Sequence, residues 1–190
     1  NKIIRIDDEA NIPAYQLSVG REIGEKEGFV ALGLFQSQDE INNSALVGSN
    51  TLPGDIKYKD LNGDGKIDYD HDRKWIGRSD IPEMMFGLNL SATWKNLDFS
   101  TLLQGATLCD DALMGNYPGI GWDDTQFTRT FYNGGNSPIY LIKNSWRPDN
   151  TKGKYPRLST LYRYNGNAST LWLVNGAYLR LKDIQLGYSL

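Results

Sequence analysis

Residues Asp60 to Asp68 read Asp-Leu-Asn-Gly-Asp-Gly-Lys-Ile-Asp. Asp60, Asn62, Asp64 and Asp68 place oxygen-bearing side chains at alternate positions, and the main-chain carbonyl of Lys66 adds another oxygen. Gly65 stands where such a loop must turn sharply. This is the front half of an EF-hand-type loop. A hard cation takes about six to eight oxygens, and a short segment supplies them only by wrapping around the ion. Carboxylates packed this closely repel one another unless a cation lies between them. The expected ligand is a structural Ca2+. An EF-hand closes its shell with a bidentate acid at position twelve, which here is His71, flanked by Asp70 and Asp72. Either acid closes the shell if the loop bulges by one residue. The alternative is a solvated turn, since Asp, Asn and Gly favour turns with or without an ion.

Little else in the chain carries chemistry. One cysteine, Cys109, and one histidine, His71, leave no disulfide scaffold, no zinc cluster and no ordinary nucleophile–histidine pair. The acid pairs Asp110-Asp111 and Asp123-Asp124 are neighbours in sequence and define no spacing for glycoside hydrolysis. No catalytic residue is expected, and the chain is not expected to be an enzyme. A net charge of -3 gives no basic field for nucleic acid. No apolar run approaches the length of a membrane-spanning helix. Spanning strands alternate between lipid and lumen and average out as mildly polar, in keeping with a mean hydropathy of -0.50.

The elements around the loop read as β-structure. Aromatics make up 12% of the 190 residues, and with twenty glycines they favour short strands and turns over packed helices. Ile12 to Ile23 alternates and predicts a strand, followed by a charged turn from Glu22 to Glu27. Phe29 to Phe35 is a second apolar run broken by Gly33, and Gln38 to Asn43 is one helical turn. The clearest pattern runs from Met84 to Thr107. Phe86, Leu88, Leu90, Ala92 and Trp94 alternate with Gly87, Asn89, Ser91 and Thr93. Lys95-Asn96 makes a tight turn, and Leu97, Phe99, Thr101 and Leu103 lead the chain back. This is a hairpin. Its arms have the length of tilted transmembrane strands, and pattern alone leaves a membrane hairpin and a soluble sandwich open.

Residues 110–170 show no sustained periodicity. They are rich in Gly, Asn, Pro, Trp and Tyr, among them Trp122, Phe127, Phe131, Tyr132, Trp146, Tyr155 and Tyr162. One helix is predicted from Pro138 to Trp146, with Ser137 as its cap. These aromatics either pack the loop upon itself or line a binding surface; Trp122, Tyr132 and Trp146 are the candidate ligand or partner contacts. Leu171 to Val174 is a short strand ending at the turn Asn175-Gly176. Tyr178 to Leu190 is one long strand with a register change near Arg180 to Asp183, as a bulge would give.

The order of motifs resembles a known family. Gly33-Leu34-Phe35-Gln36-Ser37-Gln38-Asp39-Glu40-Ile41 precedes Pro53-Gly54-Asp55-Ile56-Lys57-Tyr58-Lys59-Asp60. The acidic loop, Ile76-Gly77, Pro82 and the hairpin ending Gln104-Gly105-Ala106 come next. Trp146-Arg147-Pro148, Tyr155-Pro156-Arg157, Ser169-Thr170-Leu171-Trp172-Leu173 and Tyr178 to Tyr188 complete the series. This looks like the C-terminal part of the SusC/RagA family of TonB-linked outer-membrane proteins, over nearly the whole chain. The resemblance implies an all-β fold: antiparallel strands from part of a transmembrane β-barrel, with long irregular extracellular loops. Residues 1–190 would be one partial barrel segment, carrying a calcium-like loop at 60–72 and an aromatic loop at 110–170. The plug, the TonB-contacting segment and the final strands are expected to lie outside these residues. The resemblance further implies a bacterial outer-membrane importer of glycans or peptides that works with a SusD-like surface lipoprotein and TonB. It places Phe86, Leu88, Leu90, Ala92 and Trp94 toward lipid, and Asn89, Ser91 and Thr93 toward the lumen. The family has an Asp at position twelve; here one residue stands inserted before Asp72, which leaves the closing ligand open between Asp70 and Asp72, with Asp72 counted among the candidate metal residues. The competing expectation is a secreted, soluble, calcium-stabilised domain that binds carbohydrate.

Overall fold

The computed structural model describes residues 1–113, 137–159 and 164–189. The fold is all-β, with two short α-helices among the described residues, and the chain divides into two compact units. One comprises Asn1–Gly77 and Ala112–Leu173, the other Arg78–Asp111 and Val174–Leu190.

In the first unit, β1 (Lys26–Phe29) pairs antiparallel with β4 (Arg73–Gly77), and β2 (Ala31–Leu34) pairs antiparallel with β3 (Ile56–Tyr58). The apolar run from Phe29 to Phe35 is thus divided between two ladders. Gly33, at φ 129°, absorbs the register shift in β2. Helix α1 (Gln38–Asn42) is a single turn. Ser37 caps it by accepting from the Glu40 N–H at 3.2 Å, and Glu40 reaches back to accept from the Gln36 N–H at 2.8 Å. This reciprocal arrangement follows the capping-box logic.

The strand expected from Ile12 to Ile23 does not form. Pro13 O accepts from Gln16 N, Ser18 O accepts from Arg21 N, and Gly20 takes φ 88°, so the segment is a run of turns. Its alternation is overridden because Tyr15 and Gln16 bond instead to carbonyls of the 70–73 segment. Helix α2 (Ile139–Asn144) is shorter than predicted. Pro138, at φ -62° and ψ 134°, occupies the N-cap position in place of Ser137. The described parts of the 110–170 segment contribute β7 (Asp110–Ala112), α2 and a 3-10 turn at Tyr164–Gly166, and β8 (Leu173–Asn175), just beyond it, pairs with β7.

The core of this unit joins Phe29, Ile56, Tyr58 and Ile67 to Leu141, Tyr155 and Trp172. Phe29, Leu141 and Trp172 are fully buried. Burying side chains of the Phe and Leu class stabilises by about 1.5–3 kcal/mol each. Tyr155 stacks on Trp172 with ring centroids 6.1 Å apart.

In the second unit, β5 (Met84–Trp94), β6 (Leu97–Thr107) and β9 (Tyr178–Tyr188) form an antiparallel sheet in the order β5-β6-β9. Trp94 faces Leu97 across the expected Lys95-Asn96 turn, where Lys95 adopts φ 53°. The bulge predicted in β9 is present: Leu102 pairs with Asp183 but Leu103 with Leu181, leaving Lys182 as the extra residue.

Candidate functional site

Two features stand out, each built within one unit. The first is the acidic loop between β3 and β4. Gly63 and Gly65 take φ 79° and 81°, which bends the backbone around the Asp60 side chain. Asp60 accepts from the Gly63 N–H at 2.6 Å and from the Gly65 N–H at 2.9 Å. Asn62 Oδ1 accepts from Asp64 N, and Asp64 Oδ1 from Lys66 N, each two residues on. Ile67 anchors the loop: its side chain enters the core and its N–H donates to Leu46 O at 3.1 Å.

The two candidate closing acids part company here. Asp72 is fully buried and spans the neck of the loop, with Oδ1 accepting from Leu61 N at 2.6 Å and Oδ2 from Asp68 N at 2.9 Å. Asp70 is exposed, and its N–H donates to Asp68 Oδ1 at 3.0 Å. His71 turns back on Asp68, with Nδ1 3.1 Å from Oδ1. That hydrogen bond, followed by the carboxylate charge, holds the imidazole above its ordinary pKa range. For Asp68, burial pushes the carboxyl upward. The His71 N–H, the His71 ring and the Asp70 N–H outweigh it, and the net direction is down.

The loop brings Asp60, Asn62, Asp64, Lys66, Asp68 and Asp72 into one wrapped segment. Among the described residues, no three acidic, histidine or cysteine side chains converge as a ready-made metal cluster. The carboxylates are instead engaged by loop N–H groups. The donor set still fits a hard cation: four carboxylates, one amide oxygen and one main-chain carbonyl, all oxygen. An ionised carboxylate has about four lone-pair sites, so these N–H bonds do not exhaust it. Beside the loop lies a cleft of about 640 Å3, whose lining includes Asp7, Asp8, Tyr69, Asp70, Arg73 and Trp75.

The second feature is the face of the β5-β6-β9 sheet. Directly opposed residues of paired strands point to the same side. Phe86, Leu88, Leu90, Ala92 and Trp94 therefore share a face with Gly105, Leu103, Thr101, Phe99 and Leu97. The same face continues through Leu179, Leu181, Ile184, Leu186 and Tyr188 of β9. Strict alternation would send Leu179 and Leu181 to the side opposite Ile184 and Leu186. The Lys182 bulge shifts the parity by one residue and keeps all of them together. The other face is polar over most of its length, with Asn89, Ser91, Thr93, Asp98, Ser100, Gln104, Asp183 and Gln185, and also carries Leu102 and, at one end, Met85, Ala106 and Tyr178. Every residue of β5 and β9 is exposed, with Leu90 at 48% and Leu186 at 77%. The Phe86 ring lies over Gly105, where a Cβ would collide with it.

The aromatic candidates fare differently. Trp122 and Tyr132, together with Phe127, Phe131 and Tyr162, lie outside the described residues. Trp146 is buried rather than displayed as a contact. Its Nε1 donates to Gln36 Oε1 at 3.1 Å, and its ring lies against Gly54, which has φ 89° and no room for a Cβ. Sequence reasoning missed Asp55 and Asn165, a buried pair whose side chains bond at 2.9 Å. Polar residues in loops give no periodic signal that would mark them as interior.

No family model matches the chain. Two curated relatives do. The chain is 29% identical over 176 residues to the TonB-dependent receptor P26 of Formosa agariphila, covering 92% of this chain and 16% of that protein. It is 27% identical over 176 residues to the TonB-dependent receptor P3 of the same organism, with the same 92% and 16% coverage. Along almost its whole length, then, the chain is similar to one part of TonB-dependent receptors and spans 16% of the length of the curated relatives it matches.

Proposed function

We propose that this chain supplies part of the barrel wall, and adjoining extracellular segments, of a TonB-linked nutrient importer in a bacterial outer membrane. The observation that carries the reading is the β5-β6-β9 sheet. Its three strands are each eleven residues long, with one mainly apolar and one mainly polar face. A transmembrane strand needs about 9–11 residues at a tilt of about 45°. A barrel strand turns its apolar residues to lipid and its polar ones to the lumen. A soluble sandwich would bury the apolar face against a second sheet, whereas a barrel turns it to lipid. The likeness to two TonB-dependent receptors supports the same reading.

The finer assignment is to the SusC/RagA type, on the strength of the motif order. In such an importer the cargo is a glycan or peptide, a SusD-like lipoprotein caps the outer mouth, and TonB supplies the drive through segments beyond this chain. Phe86, Leu88, Leu90, Ala92 and Trp94 face outer-membrane lipid, and no residue is assigned a catalytic role. The test uses the full-length protein folding into lipid vesicles. Leu90→Arg is expected to impair folding by about 2–4 kcal/mol, while Asn89→Arg is tolerated. Equal effects at the two positions would overturn the barrel reading.

Calcium belongs to the same proposal. Bound by Asp60, Asn62, Asp64, the Lys66 carbonyl, Asp68 and Asp72, it would neutralise the clustered charge and stiffen a loop rooted through Ile67. The all-oxygen donor set, the turns at Gly63 and Gly65 and the inward position of Asp72 support it. Calorimetry on the folded protein should register calcium uptake that Asp64→Ala weakens strongly. Absence of uptake by the intact protein would dispose of the site.

A further inference from the structure

The first unit is assembled from two stretches of chain, 1–77 and 112–173, with the β5-β6 hairpin between them in sequence. Neither stretch completes its structure alone. The ladders β1-β4 and β2-β3 have two strands each, and an isolated two-stranded ladder is marginal in water. What covers them is the second stretch, through Leu141, Tyr155 and Trp172.

The backbone accounts point the same way. Phe29 N donates to Ala168 O at 2.8 Å, and Phe29 O accepts from Thr170 N at 3.0 Å. The 168–170 segment thus lies parallel to the end of β1, bridging Phe29 and Ser169. Gly28 is required there because a Cβ would strike Ala168 O. At the centre sits Asn165, only 5% exposed. Its Oδ1 accepts from Ile56 N at 2.8 Å, and its Nδ2 donates to Asp55 Oδ1 at 2.9 Å. Its own carbonyl accepts from Trp172 Nε1 at 2.8 Å. One side chain therefore satisfies a strand amide and a buried carboxylate of the first stretch. Its backbone meanwhile orients the largest core residue of the second. Parting the stretches would break the bonds that Asn165 makes to Ile56 N and Asp55 and those that Phe29 makes to Ala168 and Thr170, and a bond lost in an interior is costly.

We infer that the two stretches are a single all-or-none folding unit, latched by Asn165, so that loosening either one loosens both. The unit is a conformational device: a contact made or lost on 1–77 is transmitted to 137–159 and 164–172. The inference concerns this unit alone and does not depend on the importer reading.

Hydrogen exchange on the full-length protein tests it. Asn165→Ala is expected to accelerate exchange in peptides covering 29–34 and 54–58 by the same factor, roughly tenfold, as in peptides covering 164–172. Acceleration confined to 164–172 would overturn the inference. If Asn165→Ala fails to fold, Tyr58→Phe serves instead. It removes only the hydroxyl that donates to Tyr164 O at 2.7 Å. A smaller rise shared by both stretches supports the latch, and a rise in one stretch only refutes it.

Discussion

Asp70 and Asp72 stand two positions apart, yet their surroundings give them different work. Asp72 occupies the interior with both oxygens engaged by main-chain N–H groups, while Asp70 faces solvent. Removing a buried acceptor leaves its donors unpaired, at about 1–3 kcal/mol per group. Asp72→Ala should therefore lower the unfolding midpoint even in chelator, whereas Asp70→Ala should barely move it; thermal melts with and without calcium check this. Equal shifts would mean that Asp72 is not the clasp. Glu40 offers a pH-dependent counterpart. The Gln36 N–H first, then Lys57 Nζ at 3.0 Å, hold its carboxyl below the ordinary value of 4.5, against an opposing effect of burial. A carboxyl with a depressed folded-state pKa adds stability that is present above the unfolded value and lost as pH falls through the folded one. Melting temperature should thus drop as pH is lowered below 4.5, and Glu40→Gln should flatten that part of the profile. An unchanged profile would show that the carboxylate adds nothing.

At the scale of elements, the bulge in β9 is the most exposed to test. Lys182 is the extra residue that lets Leu179 and Leu181 share a face with Ile184, Leu186 and Tyr188. Deleting it would turn Tyr178 to Leu181 over, placing Arg180 on the apolar face. Deletion of Lys182 should impair folding into vesicles more than Lys182→Ala, which keeps the parity; band-shift folding assays distinguish the two. The elements themselves were unequally legible. β5, β6 and β9 could be read from alternation because their pairing partners alternate in phase with them. Ile12 to Ile23 alternates too, but among the described residues no strand is in register beside it. Tyr15 and Gln16 spend their polar atoms on the neck of the acidic loop, and turns result. The ligand-type residues of that loop were visible because oxygen chemistry fixes their spacing. Asn165 and Trp172 were not visible as a core, since Ile56, bonded to Asn165, and Phe29, in the Trp172 cluster, lie more than a hundred residues earlier and no local period records such a contact.

For the whole molecule, the aromatics of the segment from 110 to 170 can be separated by the roles proposed for them. Trp146 and Tyr155 are interior residues, tied by the Trp146 N–H donating to Tyr155 O at 2.7 Å. Cutting an indole down to alanine in such a place costs about 3–5 kcal/mol. Trp146→Ala in the full-length protein should therefore reduce the amount of folded protein at the cell surface. Trp122 and Tyr132 are the remaining candidates for recognition. A rigid body that carries long connections commonly uses them to bind, and aromatic anchors dominate many interfaces. Trp122→Ala and Tyr132→Ala should leave surface levels normal and lower the proposed nutrient uptake or capture of the proposed lipoprotein partner. Surface labelling together with an uptake assay reads both quantities in one experiment. Normal uptake by both variants would assign the segment a structural role alone, and loss of surface protein in all three would place Trp122 and Tyr132 in the interior with Trp146.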